Sequence, residues 1–542
     1  MFREFVENSI IESLKRLGIE NIPSFKIEIP DEKFGDYATN IAFMLTKEIK
    51  RPPREIASEL SLELEKESYI RSATVAGPGF VNISLTEDAY LQALKDLLEM
   101  RYFWKTSPKT SVQFEFGSAN PTGPFTIGHG RQLVFGDVLC RIFSARGYRV
   151  QREMYINDAG RQIRLLGHSL WVRYNQLFGK EISLPEDGYQ GEYLVDMAKE
   201  VQKEYGDKFL GLWDANVQEF FSNFALNKML QSMKETLDKL GVNFDNYFSE
   251  KSLVDDGTVD TILDNFREKG LLYEKDGALW FRVSNFVDDN DKVVLRSDGT
   301  HTYFLTDIAY HFNKHKRGYD RVYDIWGSDH MGHIPRMKAA LMALGISEDF
   351  LEVIIHQYVN IKKGDEIVKM STRKGTFSTL DELVEAAGVD ATRYFFAMFD
   401  PDTHMLFDLD LAKKKSNENP VFYVQYAHAR ISSIFRTAKE RNFDAGELPG
   451  EYHFEPEEKK LIKTVLEFPF VLDSITEDYK VNRLTNYLES LASTFHVFYN
   501  KHLVVDSQNP HRSTLRLKLC EITKNAIADG LQLLGVSAPE SM

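Results

Sequence analysis

Apolar residues recur at regular spacings along most of the chain. In the first 105 residues both helical and strand spacings occur, as in a small α+β module. The apolar positions between Phe5 and Leu17 follow helical spacing and stop at Gly18. An alternating segment, FKIEI, and two more helical segments follow, the second starting at Pro53; VAGPGFVNISL is typical of a turn leading into a strand. The pattern predicts an α+β module over residues 1–105.

From Ser111 onward, strand patterns alternate with longer helical patterns. SVQFEF alternates in polarity, a loop rich in Pro and Gly follows, and the apolar positions from Leu133 to Phe143 then share one side of a helix. Strand, loop and helix in this order open a parallel α/β sheet, and RVYDIW and LEVIIHQYVNI are further strand candidates. We expect a Rossmann-type α/β domain over 106–415, with an acidic helical insertion at about 170–275.

The last part of the chain, residues 416–542, has helical periodicity without a clear strand pattern. The predicted fold class is therefore α/β: a parallel-sheet domain with an N-terminal α+β module and a C-terminal all-α domain. The chain of 542 residues is long enough for roughly three or four domains of typical size.

Composition narrows the protein class. Of the 542 residues, 43% are hydrophobic and 27% charged, as in an ordinary globular protein. The net charge of −15 argues against a nonspecific nucleic-acid binder or a basic membrane-surface protein. Cys140 and Cys520 cannot build a disulfide framework and suit a reducing compartment. The early charge at Arg3 argues against a secretory signal, and no apolar run is long enough to span a membrane. We expect a cytoplasmic protein.

A glycine-rich loop precedes the first long helix of the α/β domain. Gly123, Gly128 and Gly130 permit a close backbone approach, and the helix that follows offers unpaired N–H groups to an anion such as phosphate. His129 can donate a hydrogen bond at the rim of that site. Taken alone, the loop is more typical of an ordinary surface turn.

A basic loop, VKMSTRKGTF, carries Lys369, Arg373 and Lys374 after a predicted strand. Its ammonium groups can stabilise charge that develops on a polyphosphate. Taken alone, it is more typical of a solvated turn.

Two further patterns contain acidic or imidazole groups. Tyr303 and Asp307 are four residues apart on one predicted helical face, where they can hold a cation; an exposed helical aspartate is the more ordinary interpretation. His330 and His333 suggest zinc only weakly, because no further ligands follow at the usual spacing. We expect no structural metal.

The joint order of these motifs is more specific than any one of them. A glycine-histidine loop, a Lys-Met-Ser loop about 240 residues later and a helical C-terminal domain resemble the class I aminoacyl-tRNA synthetases. Over nearly its whole length the chain is similar to the arginyl-tRNA synthetase family. The segments that carry this resemblance are FGDYATNIA, AGPGFVNISL, NPTGPFTIGHGR, YINDAGRQI, RSDGTHTYFLTDIAYH, WGSDHMGHIPRMKAAL, KMSTRKG, GVDATRYFF and NENPVFYVQYAHAR.

The resemblance implies an ATP site at the two loops, with Mg²⁺ bound to the ATP as substrate. Thr126 stands where the family's His-x-Gly-His signature has its first histidine, and Thr372 replaces the second lysine of Lys-Met-Ser-Lys. Arg373 or Lys374 can substitute for that lysine, and the choice stays open. The implied catalytic residues are His129, Lys369, Ser371 and Lys374, and the implied ATP contacts are Thr126, Gly128, His129, Gly327, Asp329, Lys369 and Met370.

The resemblance also implies an arginine pocket. A guanidinium group has five donors and no acceptor, so carboxylate and carbonyl-type oxygens suit it, and a lysine would leave some of them unpaired. Asp307 suits the guanidinium, and Glu115 and Asn120 suit the α-amino group. Such discrimination does not require a hydrolytic editing site. The implied arginine contacts are Glu115, Ser118, Asn120, Tyr303, Asp307 and His330.

Both end domains resemble tRNA-binding modules. The N-terminal candidates are Phe80 and Asn82, and the C-terminal candidates are Tyr423, Gln425, Tyr426, His428 and Arg430, of whose aromatic groups about half are expected in the helix core. The implied function is the ATP-dependent attachment of L-arginine to tRNA(Arg) through an arginyl-adenylate, with release of AMP and pyrophosphate. As a default we expect a monomer, and no membrane as a partner.

Two alternatives belong to other functional classes. A nucleotidylyltransferase also uses a glycine-histidine loop, but does not explain the segment around Asp307 or the end domains. A catalytically silent paralogue would account for Thr126 and Thr372, whereas His129 and Lys369 argue for an active enzyme.

Overall fold

The computed structural model of the protein describes residues 2–99, 109–158, 160–364, 366–368 and 379–542. The predicted site residues Lys369, Met370, Ser371 and Lys374 lie outside the described residues, as do Thr372 and Arg373. No helix in the described ranges has the length and apolar character that a membrane span requires.

The N-terminal module combines four helices with a four-stranded antiparallel sheet of order β1-β2-β4-β3. The predicted first helix, the helix start at Pro53 and the turn into a strand are confirmed. The strand predicted from FKIEI is shorter, with only two residues paired, because its one neighbour, β2, is itself three residues long. The elements are α1 (Phe2–Arg16), β1 (Ile27–Glu28), β2 (Tyr37–Thr39), α2 (Ile41–Ile49), α3 (Pro53–Leu64), β3 (Ile70–Ala76), β4 (Phe80–Leu85) and α4 (Glu87–Glu99).

The middle of the chain forms the predicted parallel sheet, first through a strand–helix–strand unit and then after the insertion. Its elements up to the second small sheet are β5 (Ser111–Glu115), α5 (Ile127–Ala145), β6 (Arg149–Ile156), α6 (Arg161–Leu177), α7 (Glu192–Tyr205), α8 (Ala215–Leu240), β7 (Asn246–Ser249), α9 (Glu250–Asp255), α10 (Thr258–Glu268), β8 (Leu272–Lys275), β9 (Ala278–Phe281) and β10 (Lys292–Leu295).

The remaining elements complete the sheet and add the helical domain. They are α11 (Tyr303–Lys316), β11 (Arg321–Gly327), α12 (Ile334–Ala343), β12 (Leu351–His356), β13 (Val359–Lys363), β14 (Glu366–Val368), α13 (Leu380–Ala387), α14 (Val389–Ala397), β15 (Met405–Asp408), α15 (Leu409–Lys413), α16 (Pro420–Glu440), α17 (Pro456–Leu466), α18 (Phe468–Asp478), α19 (Asn482–Lys501) and α20 (Pro510–Leu534).

The central sheet has five parallel strands in the order β12-β11-β5-β6-β7. From β5 the chain first moves outward through β6 to β7, and later fills the other side with β11 and β12. In such a sheet the order reverses beside the first strand, and a crevice opens there at the carboxyl ends of the strands. The ends of β5 and β11, at Glu115 and Gly327, therefore frame the expected position of a site.

The structure differs from the predicted helical character of residues 170–275. Helices α6 to α8 end at Leu240, and β7 then returns to the edge of the main sheet. The antiparallel sheet β10-β9-β8 lies beyond it. Because β7 has only four residues, none of them fully buried, its hydrophobic pattern is too weak to recognise. LEVIIHQYVNI also forms two strands in different sheets, β12 and β13, which separate at Gln357 and Tyr358.

A buried arginine joins the sheet domain to the helical domain. Arg393 in α14 is fully buried; it donates to the Asp137 carboxylate in α5, to the Leu240 carbonyl at the end of α8 (2.8 Å) and to the Leu534 carbonyl at the end of α20 (2.8 Å). Carbonyls at helix C-termini lack partners within their own helix. The guanidinium therefore satisfies two helix ends and one carboxylate at the point where the domains meet.

We predict that Arg393→Met lowers the free energy of unfolding by about 3 kcal/mol, because it leaves those groups buried without this donor. Urea denaturation followed by circular dichroism measures the change. Arg267→Met, which removes an exposed helical ion pair with Asp264, is the control and should change the stability by less than about 0.5 kcal/mol. Equal effects of the two substitutions would contradict the proposed role of Arg393 in the domain contact.

Candidate active site

A cleft of about 1100 Å³ opens at the carboxyl ends of β5, β11 and β12. Its walls come from the glycine-rich loop, the start of α11 and the short helical turn after β11. Every predicted ATP or arginine contact within the described ranges lines this cleft: Glu115, Ser118, Asn120, Thr126, Gly128, His129, Tyr303, Asp307, Gly327, Asp329 and His330. The cleft is thus where the topology of the sheet predicts it.

The glycine-rich loop ends in a capped helix start. Thr126 is the N-cap of α5; its hydroxyl accepts a hydrogen bond from the His129 backbone N–H, and its own N–H donates to His129 Nδ1 at 3.0 Å. The two residues satisfy each other as a capping box does. In place of the first signature histidine, the threonine therefore orients the histidine that remains.

This contact determines which nitrogen of His129 can serve the cleft. A backbone N–H can only donate, so Nδ1 is the acceptor and the neutral ring carries its proton on Nε2. Burial lowers the pKa of His129, which favours that neutral form. His129 is a hydrogen-bond donor beside the positive end of the α5 dipole, an arrangement suited to a phosphoryl group.

The residues that follow the basic loop contact the glycine-rich loop. Thr379, the first described residue after the loop, forms an antiparallel bridge with Thr126, and the Leu380 N–H donates to the Phe125 carbonyl at 2.8 Å. The part of the chain that follows the basic loop is therefore hydrogen-bonded to the glycine-rich loop.

Arg131, which was not predicted as a site residue, lies on α5 directly after the glycine-rich loop and holds the start of that helix in place. It is buried and donates to the backbone carbonyls of Gln357 (2.8 Å), Asp400 (2.8 Å) and Thr403 (2.9 Å). Burial lowers its pKa to about 10, which still leaves it charged at neutral pH. Since Gln357 lines the cleft, Arg131 fixes one cleft wall to the start of α5. An arginine in an amphipathic helix gives no sequence signal of such a role.

Acidic groups gather at the opposite end of the cleft. Asp307 lies on the first turns of α11, one turn after Tyr303, and its Oδ2 is 3.1 Å from His333 Nε2. Glu250 at the start of α9 lines the same space. Burial raises the pKa of Glu250 to about 7, with a further contribution from the charge of Asp307, while a hydrogen bond with Tyr155 opposes the shift.

Glu250 was not predicted, because it lies in a stretch of many acidic residues that has the pattern of a helical insertion. The charge of Asp307 contributes to the raised pKa of Glu250, and two neighbouring carboxyl groups of this kind suit a cation. In the described part of the chain neither has a lysine or arginine partner. This end of the cleft therefore suits a ligand group with a delocalised positive charge.

Glu115 lies deeper, in a bonded cluster of buried charges. Its Oε2 accepts from Lys314 Nζ at 2.7 Å, and its Oε1 accepts from the Ser118 hydroxyl at 2.9 Å. Lys314 also donates to Asp324 Oδ1 at 2.7 Å, and Asp324 Oδ2 lies 2.6 Å from His311 Nε2. Burial raises the pKa of Glu115, although Lys314 opposes the shift.

This cluster also resembles a metal site. Ligand atoms of Glu115, His311 and Asp324 lie within 4.8 Å of one another. The ammonium of Lys314, however, already bonds both carboxylates and supplies the positive charge that such a group requires. We therefore interpret the cluster as an internal ion-pair network.

The segment after β11 supplies the last predicted cleft residues. Gly327 ends the strand, and Asp329 and His330 lie on the short helical turn Ser328–His333 with more than half of each side chain exposed. His330 Nε2 is 3.5 Å from Asp329 Oδ2, whereas His333 turns to Asp307. The two histidines thus contact different carboxylates, an arrangement that does not support the weak zinc interpretation.

The predicted tRNA contacts lie outside the cleft, on the end domains. Phe80 is 39% exposed and packs edge-on against Phe43, with Asn82 two residues along the same strand. In the C-terminal domain, the Arg430 guanidinium lies over the rings of Tyr426 and Tyr499. These groups form surfaces on which an unstacked base can lie.

Two of the predicted tRNA contacts have internal partners instead. Gln425 is buried and donates to Asp390 Oδ2 (2.8 Å) and to the Ser537 carbonyl (3.0 Å). His428 is buried and donates through Nδ1 to the Pro539 carbonyl (2.8 Å). Both side chains fix the C-terminal tail against α16, which the periodicity of α16 alone could not indicate. Tyr423 packs against His496 and is partly buried.

Comparison with known protein families identifies three consecutive segments. Residues 4–85 match the model described as arginyl tRNA synthetase N terminal domain, residues 93–400 match tRNA synthetases class I (R), catalytic domain, and residues 424–542 match DALR anticodon binding domain.

Individual proteins agree with these matches. The chain is 54% identical to arginine--tRNA ligase of Thermotoga maritima over 96% of both chains, and 44% identical to that of Bacillus subtilis over 96% of this chain and 95% of the relative. Its fold is similar to that of Thermus thermophilus arginyl-tRNA synthetase, with a TM-score of 0.76 over the whole of both chains at 23% identity.

Proposed function

The chain belongs to the arginyl-tRNA synthetase family, and we propose that it binds arginine in the cleft with the guanidinium group between Asp307 and Glu250. The protein is a class I arginine--tRNA ligase, which attaches arginine to tRNA(Arg) with ATP as its second substrate. The observation that carries the proposal is the polarity of the cleft, which is acidic at α11 and carries an anion site at α5.

The acidic end supports a guanidinium rather than an ammonium group. Asp307 and Glu250 offer four carboxylate oxygens, and a guanidinium presents five donors in a plane. The phenol of Tyr303 is exposed at the mouth and covers the ligand stem. A lysine side chain places one compact charge there and leaves acceptors unpaired, which is the kind of mismatch that gives strong discrimination.

The α-amino group then lies toward β5, near Glu115 and Asn120. Ser118 contributes indirectly, because its hydroxyl donates to Glu115 while it accepts the Tyr155 N–H at 3.2 Å. His330 covers the open side of the cleft. This orientation directs the arginine carboxylate toward His129.

ATP occupies the opposite end, with Mg²⁺ bound by its phosphates. The arginine carboxylate attacks the α-phosphorus of ATP in line, and pyrophosphate departs. A terminal hydroxyl of the tRNA, the 2′ hydroxyl, then attacks the carbonyl carbon of the arginyl-adenylate, the bond from that carbon to the phosphate oxygen breaks, and AMP departs. The residues to which we assign ATP contacts are Thr126, Gly128, His129, Gly327, Asp329, Lys369 and Met370.

Catalysis by this site rests on placement and charge. His129 donates through Nε2 to a phosphoryl oxygen, and Lys369, Ser371 and Lys374 act on the departing phosphates. Preorganised donors of this kind lower the barrier without a covalent intermediate on the protein.

We assign tRNA binding to both end domains. In the N-terminal domain, residues 1–105, Phe80 and Asn82 contact an unstacked base of the tRNA. In the C-terminal domain, residues 416–542, the anticodon loop contacts Tyr423, Tyr426 and Arg430. The catalytic part is 106–415. We further propose that the enzyme acts as a monomer in the cytoplasm.

Asp307→Asn tests the arginine placement. We predict that the KM for arginine rises about 100-fold, since a charged hydrogen bond to the guanidinium is replaced by a neutral one. The KM for ATP should stay within about threefold of the parent value. Asp264→Asn, an exposed position on α10, is the control. An unchanged KM for arginine would place the guanidinium elsewhere.

The pKa of Glu250 predicts a pH dependence. Below about pH 7 its carboxyl is protonated in the free enzyme, and above it the carboxylate attracts the guanidinium, so kcat/KM for arginine should rise as pH increases through 7. Initial rates between pH 6 and 8 measure this rise. Glu250→Gln should flatten the profile; a flat profile in the parent enzyme would contradict the assignment.

Lys374 is the candidate replacement for the missing signature lysine. We predict that Lys374→Ala lowers kcat for arginine-dependent ATP–pyrophosphate exchange, assayed with tRNA, about 100-fold, with less than a threefold change in the KM for ATP. Lys180→Ala, an exposed residue after α6, is the control. Equal losses in kcat and ATP binding would show that Lys374 does not act selectively in the transition state.

A further inference from the structure

A continuous chain of buried hydrogen bonds connects the two ends of the proposed arginine pocket. It starts at the backbone of Asp307, passes through His311, Asp324 and Lys314, and ends at Glu115. Asp307, His311 and Lys314 follow one another at intervals of four and three residues, so one face of α11 carries all three.

The first part of this chain fixes α11 to β11. His311 Nδ1 donates to the Asp307 carbonyl at 2.7 Å, because a carbonyl can only accept, and Nε2 lies 2.6 Å from the carboxylate of Asp324 on β11. Both ring nitrogens are thus engaged. The imidazole is almost fully buried, at 3% exposure.

The second part fixes α11 to β5. Lys314 is fully buried and bonds Asp324 and Glu115 at 2.7 Å each, so one ammonium joins two neighbouring strands to the helix. Burial disfavours its charge, but the surrounding carboxylates, Asp324 foremost, outweigh this and raise the pKa of Lys314. The ammonium is therefore retained at neutral pH.

We propose that His311 and Lys314 are positioning residues that set the distance between Asp307 and Glu115, and thereby select the length of the substrate side chain. This inference rests on the proposed placement of arginine between those two carboxylates. Charge-assisted bonds in a buried site are short and resist displacement. A pocket held at a set length penalises a substrate that is one methylene longer, an effect of ~10- to 200-fold in hydrophobic pockets.

The test compares arginine with homoarginine in tRNA aminoacylation by Lys314→Met/Asp324→Asn. This double variant removes one charge of each sign, so the buried net charge is unchanged, and the side chains of Glu115 and Asp307 are not substituted. We expect a folded protein whose KM for arginine is at least about tenfold higher and whose preference for arginine over homoarginine is at least about threefold lower. The KM for ATP should change less than about threefold.

Arg317→Gln is the matched control. Arg317 is the residue directly after α11. Its Nη2 donates to Oε1 of the buried Glu153 carboxylate at 2.7 Å, and it has no hydrogen bond or ion pair with Glu115 or Asp324. It should lower the melting temperature without altering the preference for arginine over homoarginine. If the two variants change this preference equally, the effect is general destabilisation and the proposal is wrong.

His311→Gln provides a second, independent variant should the double variant fail to fold. Its amide can replace one of the two bonds of the imidazole, so we expect a smaller change in the same direction, again in the preference for arginine over homoarginine. An unchanged preference in folded His311→Gln would overturn the proposal. Asp307→Asn in the same assay distinguishes a failure of the arginine placement from a failure of the positioning role. If it leaves the KM for arginine unchanged, the proposed placement of arginine is wrong. If it raises that KM while folded Lys314→Met/Asp324→Asn behaves as the parent enzyme, only the positioning role is wrong.

Discussion

The parallel pairing of β5 with β6 on one side and β11 on the other is the constraint on which the site depends. Because backbone hydrogen bonds fix the register of all three strands, the ends of β5 and β11 open a crevice between them. The helix after β5 brings His129 to that crevice, and the helix before β11 brings Asp307. An anion site and an acidic site thus face each other as a consequence of strand order.

Charge balance explains how the two ends differ. Buried carboxylates in the sheet domain are matched by internal cations: Lys314 serves Glu115 and Asp324, and Arg317 serves Glu153. Asp307 and Glu250 form no ion pair with a lysine or arginine in the part of the chain that the structure describes. These two carboxylates of the cleft thus lack, among the described residues, the internal cation that the other three have, and this difference is a physical basis for binding a guanidinium substrate there.

Residues whose role follows from local pattern were predictable from the sequence. The amphipathic period predicts α5, α11 and the C-terminal helices, and the shared face of Tyr303 and Asp307 follows from their spacing. The catalytic interpretation of the two loops required the order of several motifs, because each loop alone has the composition of a surface turn.

Residues whose role depends on distant partners were not predictable. The proposed role of Glu250 depends on the packing of α9 beside α11, and that of Lys314 on the carboxylates that two strands bring to it. Neither contact can be recognised from the local spacing of residues. Gln425 and His428, which the resemblance of the C-terminal domain predicts as tRNA contacts, are buried and donate to the C-terminal tail, a partner that local spacing does not indicate. Short strands such as β7 carry too few apolar residues to be recognised.

The most direct measurement is a crystal structure of the enzyme with the non-hydrolysable arginyl-adenylate analogue 5′-O-(N-arginyl)sulfamoyladenosine. We predict that the guanidinium lies within hydrogen-bond distance of Asp307 and Glu250, the α-amino group faces Glu115, and His129 Nε2 contacts the sulfamoyl group. A guanidinium bound at Glu115, or an adenosine remote from His129, would contradict the account.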